Sequence, residues 1–166
     1  MEFMTELAQA LEVAIRIERT GIDFYNTLCE MCDDATVKEF FNHLAAEEEA
    51  HVGYFRNLLR ELTGHPVKFR YEGDYEKFLS MVASKSIATF AKLKDNLDIG
   101  NFDEAVNLAV DLEVDTVAYY SELAKCFEGL EKTVMIGIVE SEKNHIAVIK
   151  KFREEFRKRM ADKESM

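Results

Sequence analysis

Two of the four histidines in this chain stand three residues after a glutamate, as Glu48-x-x-His51 and Glu142-x-x-His145. On a helix, a carboxylate and an imidazole at that spacing lie one above the other. Glu48 and His51 fall four and seven residues after Leu44, on the apolar stripe Phe40, Phe41, Leu44, Phe55, Leu58, Leu59 and Leu62. Glu142 and His145 bear the same relation to Ile138, on the stripe Val134, Met135, Ile138, Val139, Ile146, Ile149, Phe152 and Phe156. Both pairs should therefore face a core. A buried carboxylate without a counter-charge is costly, and a metal ion is a natural partner. Two further glutamates lie on inward arcs. Glu18 follows Leu11 and precedes Tyr25 by seven residues, and Glu113 sits among Phe102, Ala105, Val106, Ala109, Leu112, Val117, Tyr120 and Leu123. Taken alone, Glu18 reads more readily as an edge glutamate whose head reaches water.

An internal repeat joins these four signals. Residues 112–120, Leu-Glu-Val-Asp-Thr-Val-Ala-Tyr-Tyr, echo residues 17–25, Ile-Glu-Arg-Thr-Gly-Ile-Asp-Phe-Tyr. Glu18 to Glu48 is 30 residues, and Glu113 to Glu142 is 29. Each half thus offers one inward Glu and then an inward Glu-x-x-His, which predicts two helical hairpins about a pseudo-twofold. One Glu from each of two helices, plus Glu-x-x-His from each of the other two, is the donor set of di-iron and di-manganese carboxylate bundles. Two divalent cations carry four positive charges, matched by Glu18, Glu48, Glu113 and Glu142. Two carboxylates can bridge while two are terminal. His51 and His145 cap one metal each, leaving open positions for oxygen or peroxide. Iron, manganese and mixed pairs all suit these ligands.

The elements that must position this set are helices. The chain has one Pro and seven Gly in 166 residues, so long helices are favoured over many short strands. Apolar periodicity predicts helices at about 5–32, 36–63, 101–128 and 131–158, in one all-α domain spanning 1–166. Thr36-Val37-Lys38-Glu39 has the form of a capping box at the start of the second helix. Gly64 and Pro66 stop that helix. Asn101 to Glu104 is a second cap signature, Gly129 closes the third helix, and the tail from Arg153 is expected to fray. Between the hairpins, residues 65–100 form a crossover, with an amphipathic helix expected from about Asp74 to Asp95. Glu47 and Glu49 point off the stripe and read as solvated charges. His43 and His65 stand outside the site.

The net charge of −11 argues against a nucleic-acid or anionic-membrane surface, which needs a basic patch. The first residues carry negative charge where a secretory signal needs positive, and no apolar run approaches a membrane span. Three cysteines do not make a disulfide framework, so a cytoplasmic location is expected. Cys29-x-x-Cys32 could serve redox chemistry or zinc, but zinc would want a second pair and only Cys126 remains. An incidental structural role is the simpler expectation.

At these residues the sequence resembles the ferritin-like superfamily, and within it the rubrerythrin family. The cues are Glu18 with Phe24-Tyr25, Phe41-x-x-Leu44-Ala45-x-Glu47-Glu48-x-x-His51, Glu113 with Tyr119-Tyr120, and Glu142-x-x-His145. The resemblance implies a ferritin-like four-helix bundle with a long crossover and a centre of two Fe ions. It also implies reduction of hydrogen peroxide, and a homodimer. Ferrous oxidation by dioxygen is the alternative activity. A non-catalytic, metal-stabilised module that meets a partner through residues 67–95 is a third reading. Two departures from the family stand out. There are too few cysteines for a rubredoxin module, so electrons would come from an external donor such as a rubredoxin-type protein. The additional Glu expected three residues after Glu113 is Thr116 here, and its repeat counterpart is Gly21; both leave space beside the metals. Tyr25 and Tyr120 read equally as hydrogen-bond partners of a ligand carboxylate and as core aromatics.

Overall fold

The structure, a computed structural model, describes residues 2–64 and 102–166. These residues form four helices: α1 (Glu2–Met31), α2 (Ala35–Gly64), α3 (Phe102–Ala124) and α4 (Gly129–Glu164). The protein is an all-α four-helix bundle, as the periodicity predicts. Close backbone approach is concentrated within two antiparallel hairpins, α1 with α2 and α3 with α4. The crossover, its expected helix and the cap expected at Asn101 lie outside the described residues. Among the described residues no helix is long and apolar enough to cross a membrane.

Three boundaries differ from the sequence reading, each for a local reason. The cap of α2 is Asp34 rather than Thr36: Asp34 Oδ1 accepts from the N–H groups of Thr36 (3.0 Å) and Val37 (3.2 Å). A carboxylate reaches these otherwise unpaired amides and also favours the positive helix end. Next, α3 stops at Ala124. The Cys126 N–H donates to the Leu123 carbonyl (3.0 Å) and the Phe127 N–H to that of Ala124 (3.3 Å), a tight turn that buries both side chains. Gly129, at φ +64°, opens α4 instead of closing α3; that left-handed backbone favours glycine.

The third difference is the tail, which is helical to Glu164. Tertiary contacts hold it. Arg157 pairs with Asp103 of α3 (2.8 Å), and Arg159 pairs with Asp34 in the α1–α2 turn (2.8 Å). Arg153 donates to Asn107, and the Arg159 guanidinium lies over the Phe156 ring, 5.2 Å from its centroid.

The core is divided. One apolar cluster holds Leu7 to Ile17 of α1, Val52 to Leu62 of α2, Tyr119 to Ala124 of α3 and Met135 to Val139 of α4. The other holds Phe24 to Cys29, Val37 to Ala45, Ala105 to Leu112, and Ile149. In every helix the chain passes from one cluster to the other across a glutamate: Glu18, Glu48, Glu113 or Glu142. The bundle therefore has a polar layer at its waist, clamped between two apolar plugs. Within the second plug, Tyr25 and Phe41 stack with ring centroids 5.7 Å apart, and Phe40 stacks on Phe152 at 4.1 Å.

Candidate metal centre

All six residues singled out by the repeat meet in that polar layer. Glu18, Glu48, Glu113, Glu142 and His145 are buried, and His51 is nearly so. Their donor atoms converge in two sets that could each hold a metal ion. One set is Glu18, Glu48, His51 and Glu142; the other is Glu48, Glu113, Glu142 and His145, with the atoms of each set within 4.8 Å of one another. Glu48 and Glu142 belong to both.

The sharing is resolved to single atoms. His51 Nδ1 lies 2.8 Å from Glu142 Oε1, 3.2 Å from Glu48 Oε2 and 3.5 Å from Glu18 Oε2. His145 Nδ1 lies 3.0 Å from Glu142 Oε2, 3.3 Å from Glu48 Oε1 and 3.7 Å from Glu113 Oε1. Each shared carboxylate thus turns one oxygen to each imidazole, the disposition of a bridge. The two rings face each other at 26°, with centroids 6.1 Å apart.

These donors fit a pair of cations. Metal–ligand bonds of about 2.1 Å put adjacent ligands of an octahedron about 3 Å apart, close to the spacings found. Both Glu142 oxygens and His145 Nδ1 are buried without a hydrogen bond, although charged neighbours are close. Buried polar atoms are normally satisfied, and orphans aimed at a common point mark a place for a cation.

Protonation follows from the crowding. Burial, then the neighbouring Glu48 charge, raises the Glu18 carboxyl well above its usual range. Burial likewise raises Glu113, against the pull of His145. Burial also opposes ionisation of Glu48 and Glu142, but their contacts with the histidines, and for Glu48 with Glu18, outweigh it and hold both low. Burial disfavours the charge on His51, yet Glu142, Glu18 and Glu48 push its value up to about 12. His145 is raised too, by Glu113, Glu142 and Glu48 against burial. Without metal, the crowding thus favours the protonated forms of Glu18, Glu113, His51 and His145 and the ionised forms of Glu48 and Glu142.

The surroundings tie down the donors. Tyr25 donates to Glu113 Oε1, and Tyr120 donates to Glu18 Oε1. Each tyrosine reaches a glutamate of the other hairpin, so of the two open readings the structure takes the carboxylate partner. Burial, with the adjacent carboxylates, raises both phenols, so they stay protonated donors. Gly21 and Thr116 line a small cavity beside Glu18, Glu48, Glu113 and Glu142. A Cβ on Gly21 would sit 3.5 Å from Glu48 Cγ, and the Thr116 hydroxyl donates to the Leu112 carbonyl (2.9 Å).

Glu47 corrects the sequence reading. It is only partly solvated, and its Oε2 accepts from His145 Nε2 at 3.1 Å. No stripe could reveal it, because it lies one residue off the inward face of α2 and meets its partner from α4. Glu49 is exposed, as expected. His43 stays outside the donor sets, and His65 lies outside the described residues. Cysteine is absent from both sets. Cys29 and Cys126 belong to opposite apolar clusters, and burial pushes the Cys126 thiol up to about 12. That favours the packing role over zinc.

No curated protein and no solved structure gives a significant match to this chain. A family model does: the rubrerythrin model matches residues 9–102. It covers Glu18, Glu48 and His51, while Glu113, Glu142 and His145 are joined to them by the repeat and by the geometry above. With more than half of its length matched, and a carboxylate–histidine cluster at the waist of a four-helix bundle, the chain belongs to the rubrerythrin family.

Proposed function

We propose that the protein reduces hydrogen peroxide to water at a binuclear iron centre held by Glu18, Glu48, His51, Glu113, Glu142 and His145. Electrons would come from a separate donor protein of the rubredoxin type. The observation that carries this reading is the division of the Glu48 and Glu142 oxygens between the two imidazoles, beside a cavity edged by Gly21 and Thr116. When bound, the iron pair supplies two electrons and Lewis acidity to the O–O bond.

The chain's own residues bind, orient and exclude. Glu48 and Glu142, common to both donor sets, would serve both cations, and Glu18 and Glu113 would serve one each, both held by a tyrosine hydroxyl. The two apolar clusters keep bulk water from the site. The small cavity lined by Gly21 and Thr116 is where a small oxidant would meet the site. The neutral Tyr25 and Tyr120 hydroxyls lie one carboxylate away from the reacting atoms, placed to steady charge on Glu113 and Glu18.

Anaerobic stopped flow on the diferrous protein tests the proposal. Oxidation should be much faster with hydrogen peroxide than with dioxygen, and should turn over with a reduced donor. Faster oxidation by dioxygen, with multiple turnover of added ferrous ion, would instead make the protein a ferroxidase. Failure to take up two irons would end both readings. Retention of biological activity in Glu48→Ala/His145→Ala would point to a non-catalytic module.

A further inference from the structure

The two candidate metal positions share Glu48 and Glu142 and are related by the internal repeat, yet the structure does not support their histidines equally. His145 turns Nδ1 to the carboxylates, so its Nε2 bears the hydrogen and donates to Glu47 Oε2 at 3.1 Å. The ring is fully buried, and Glu47 reaches it from the facing helix. His51 also turns Nδ1 inward, but the residue that corresponds to Glu47 in the repeat is Ser141. Among the described residues no hydrogen bond engages His51 Nε2, and the side chain keeps 11% exposure.

A carboxylate behind a ligating imidazole fixes its tautomer and orientation and strengthens it as a donor. Loss of such a partner typically costs about 10- to 100-fold in metal affinity. On the reading that these six residues hold two cations, we infer that Glu47 is a positioning residue that makes the two positions inequivalent. The position served by Glu113 and His145 takes a divalent cation first and holds it more tightly than the position served by Glu18 and His51. Glu47 does this through orientation and hydrogen bonding, without touching either cation.

The test is an anaerobic titration of the full-length protein with Co(II) at one fixed pH, followed by calorimetry and by the visible absorption of the bound ion. The wild type should bind two equivalents in two steps separated by about 10- to 100-fold. Glu47→Ala should weaken the first step by a similar factor and merge the two, with Glu47→Gln intermediate because its carbonyl can still accept from Nε2. Glu49→Gln removes the same charge from an exposed neighbouring position and should leave the separation intact. Proton NMR adds a readout that packing alone would not move: a protected imidazole N–H resonance present in the wild type and absent from Glu47→Ala. Two steps of equal affinity in the wild type would overturn the inference while leaving the metal reading standing. So would an unchanged separation in Glu47→Ala, or an equal effect of Glu49→Gln. Absence of any Co(II) binding to the wild type would remove the metal reading itself.

Discussion

Tyr25 of α1 donates its hydroxyl hydrogen to Glu113 of α3, and Tyr120 of α3 returns the relationship to Glu18 of α1. Each hairpin therefore orients a terminal carboxylate of the other. Tyr25→Phe should weaken the metal position that contains Glu113 by about 10-fold or more, and Tyr120→Phe the position that contains Glu18. Helix content should be unchanged, and the metal-free protein should lose about 1 kcal/mol of stability. Chelator competition and urea unfolding measure the two effects. Unaltered affinity in both variants would leave the hydroxyls a packing role only.

Gly21 separates room for an oxidant from room for a side chain. A Cβ there meets Glu48 at ordinary van der Waals distance, so Gly21→Ala should be accommodated. It should stabilise the protein by about 0.5–1 kcal/mol through helix propensity. Gly21→Leu should fill the cavity and lower kcat/KM for peroxide by about 10-fold or more, about 1.4 kcal/mol of barrier. Steady-state assays, normalised to metal content, compare the two. Unchanged turnover in the leucine variant would place access elsewhere.

The charge state of the cluster fixes the direction of pH effects. His51 holds its proton up to about 12 when folded, against 6.5 as its ordinary value. Between those values the folded state binds a proton that the unfolded state lacks, so metal-free stability falls as pH rises. Glu18 and Glu113, raised above 4.5, act in the same direction from that value upward. Glu48 and Glu142, held low, contribute above 4.5 and lose their contribution only in acid. Metal loading must displace the protons of Glu18, Glu113, His51 and His145, so affinity should rise with pH. The Tm gap between loaded and metal-free protein should widen from about pH 6 to about pH 8. Calorimetry in buffers of different ionisation enthalpy should register net proton release on cation binding. A gap that narrows with rising pH would contradict the raised values of Glu18, Glu113 and the two histidines.

Asp34 serves two helices at once, as cap of α2 and as partner of Arg159 near the end of α4. Asp34→Ala should cost about 1–2 kcal/mol by loss of the cap. Asp34→Asn keeps a capping oxygen and should cost less. The amides of Val37 and Thr36, with Arg159, hold the Asp34 carboxyl below its ordinary 3.8. Its contribution is thus present above that value and disappears as pH falls through the lowered one. Urea titrations at neutral and acid pH test both statements.

The helices and the inward donors were legible because both follow one rule, the 3.6-residue period, applied to Leu44, Glu48 and His51 as to any core residue. The repeat then joined residues nearly a hundred positions apart. What the period could not carry were relations between helices. Glu47 lies just off the stripe and matters only because α4 brings His145 to it. Tyr25 points to Glu113 rather than to a group on its own helix. Arg157 and Arg159 read as a fraying tail until Asp103 and Asp34 stand opposite them. The misplaced cap was a contest between two capping residues two positions apart, and Asp34 takes the amides of Thr36 and Val37 while also pairing with Arg159.

The divided core bears on how the protein assembles. Backbone contacts concentrate within each hairpin, and each donor set draws on three helices, with both hairpins represented. Each hairpin can therefore form largely from neighbours close in sequence, a route that favours fast folding. The waist exists only once the hairpins have docked. Cation capture then requires both hairpins in place, and a bound pair would act as a clasp that resists their separation.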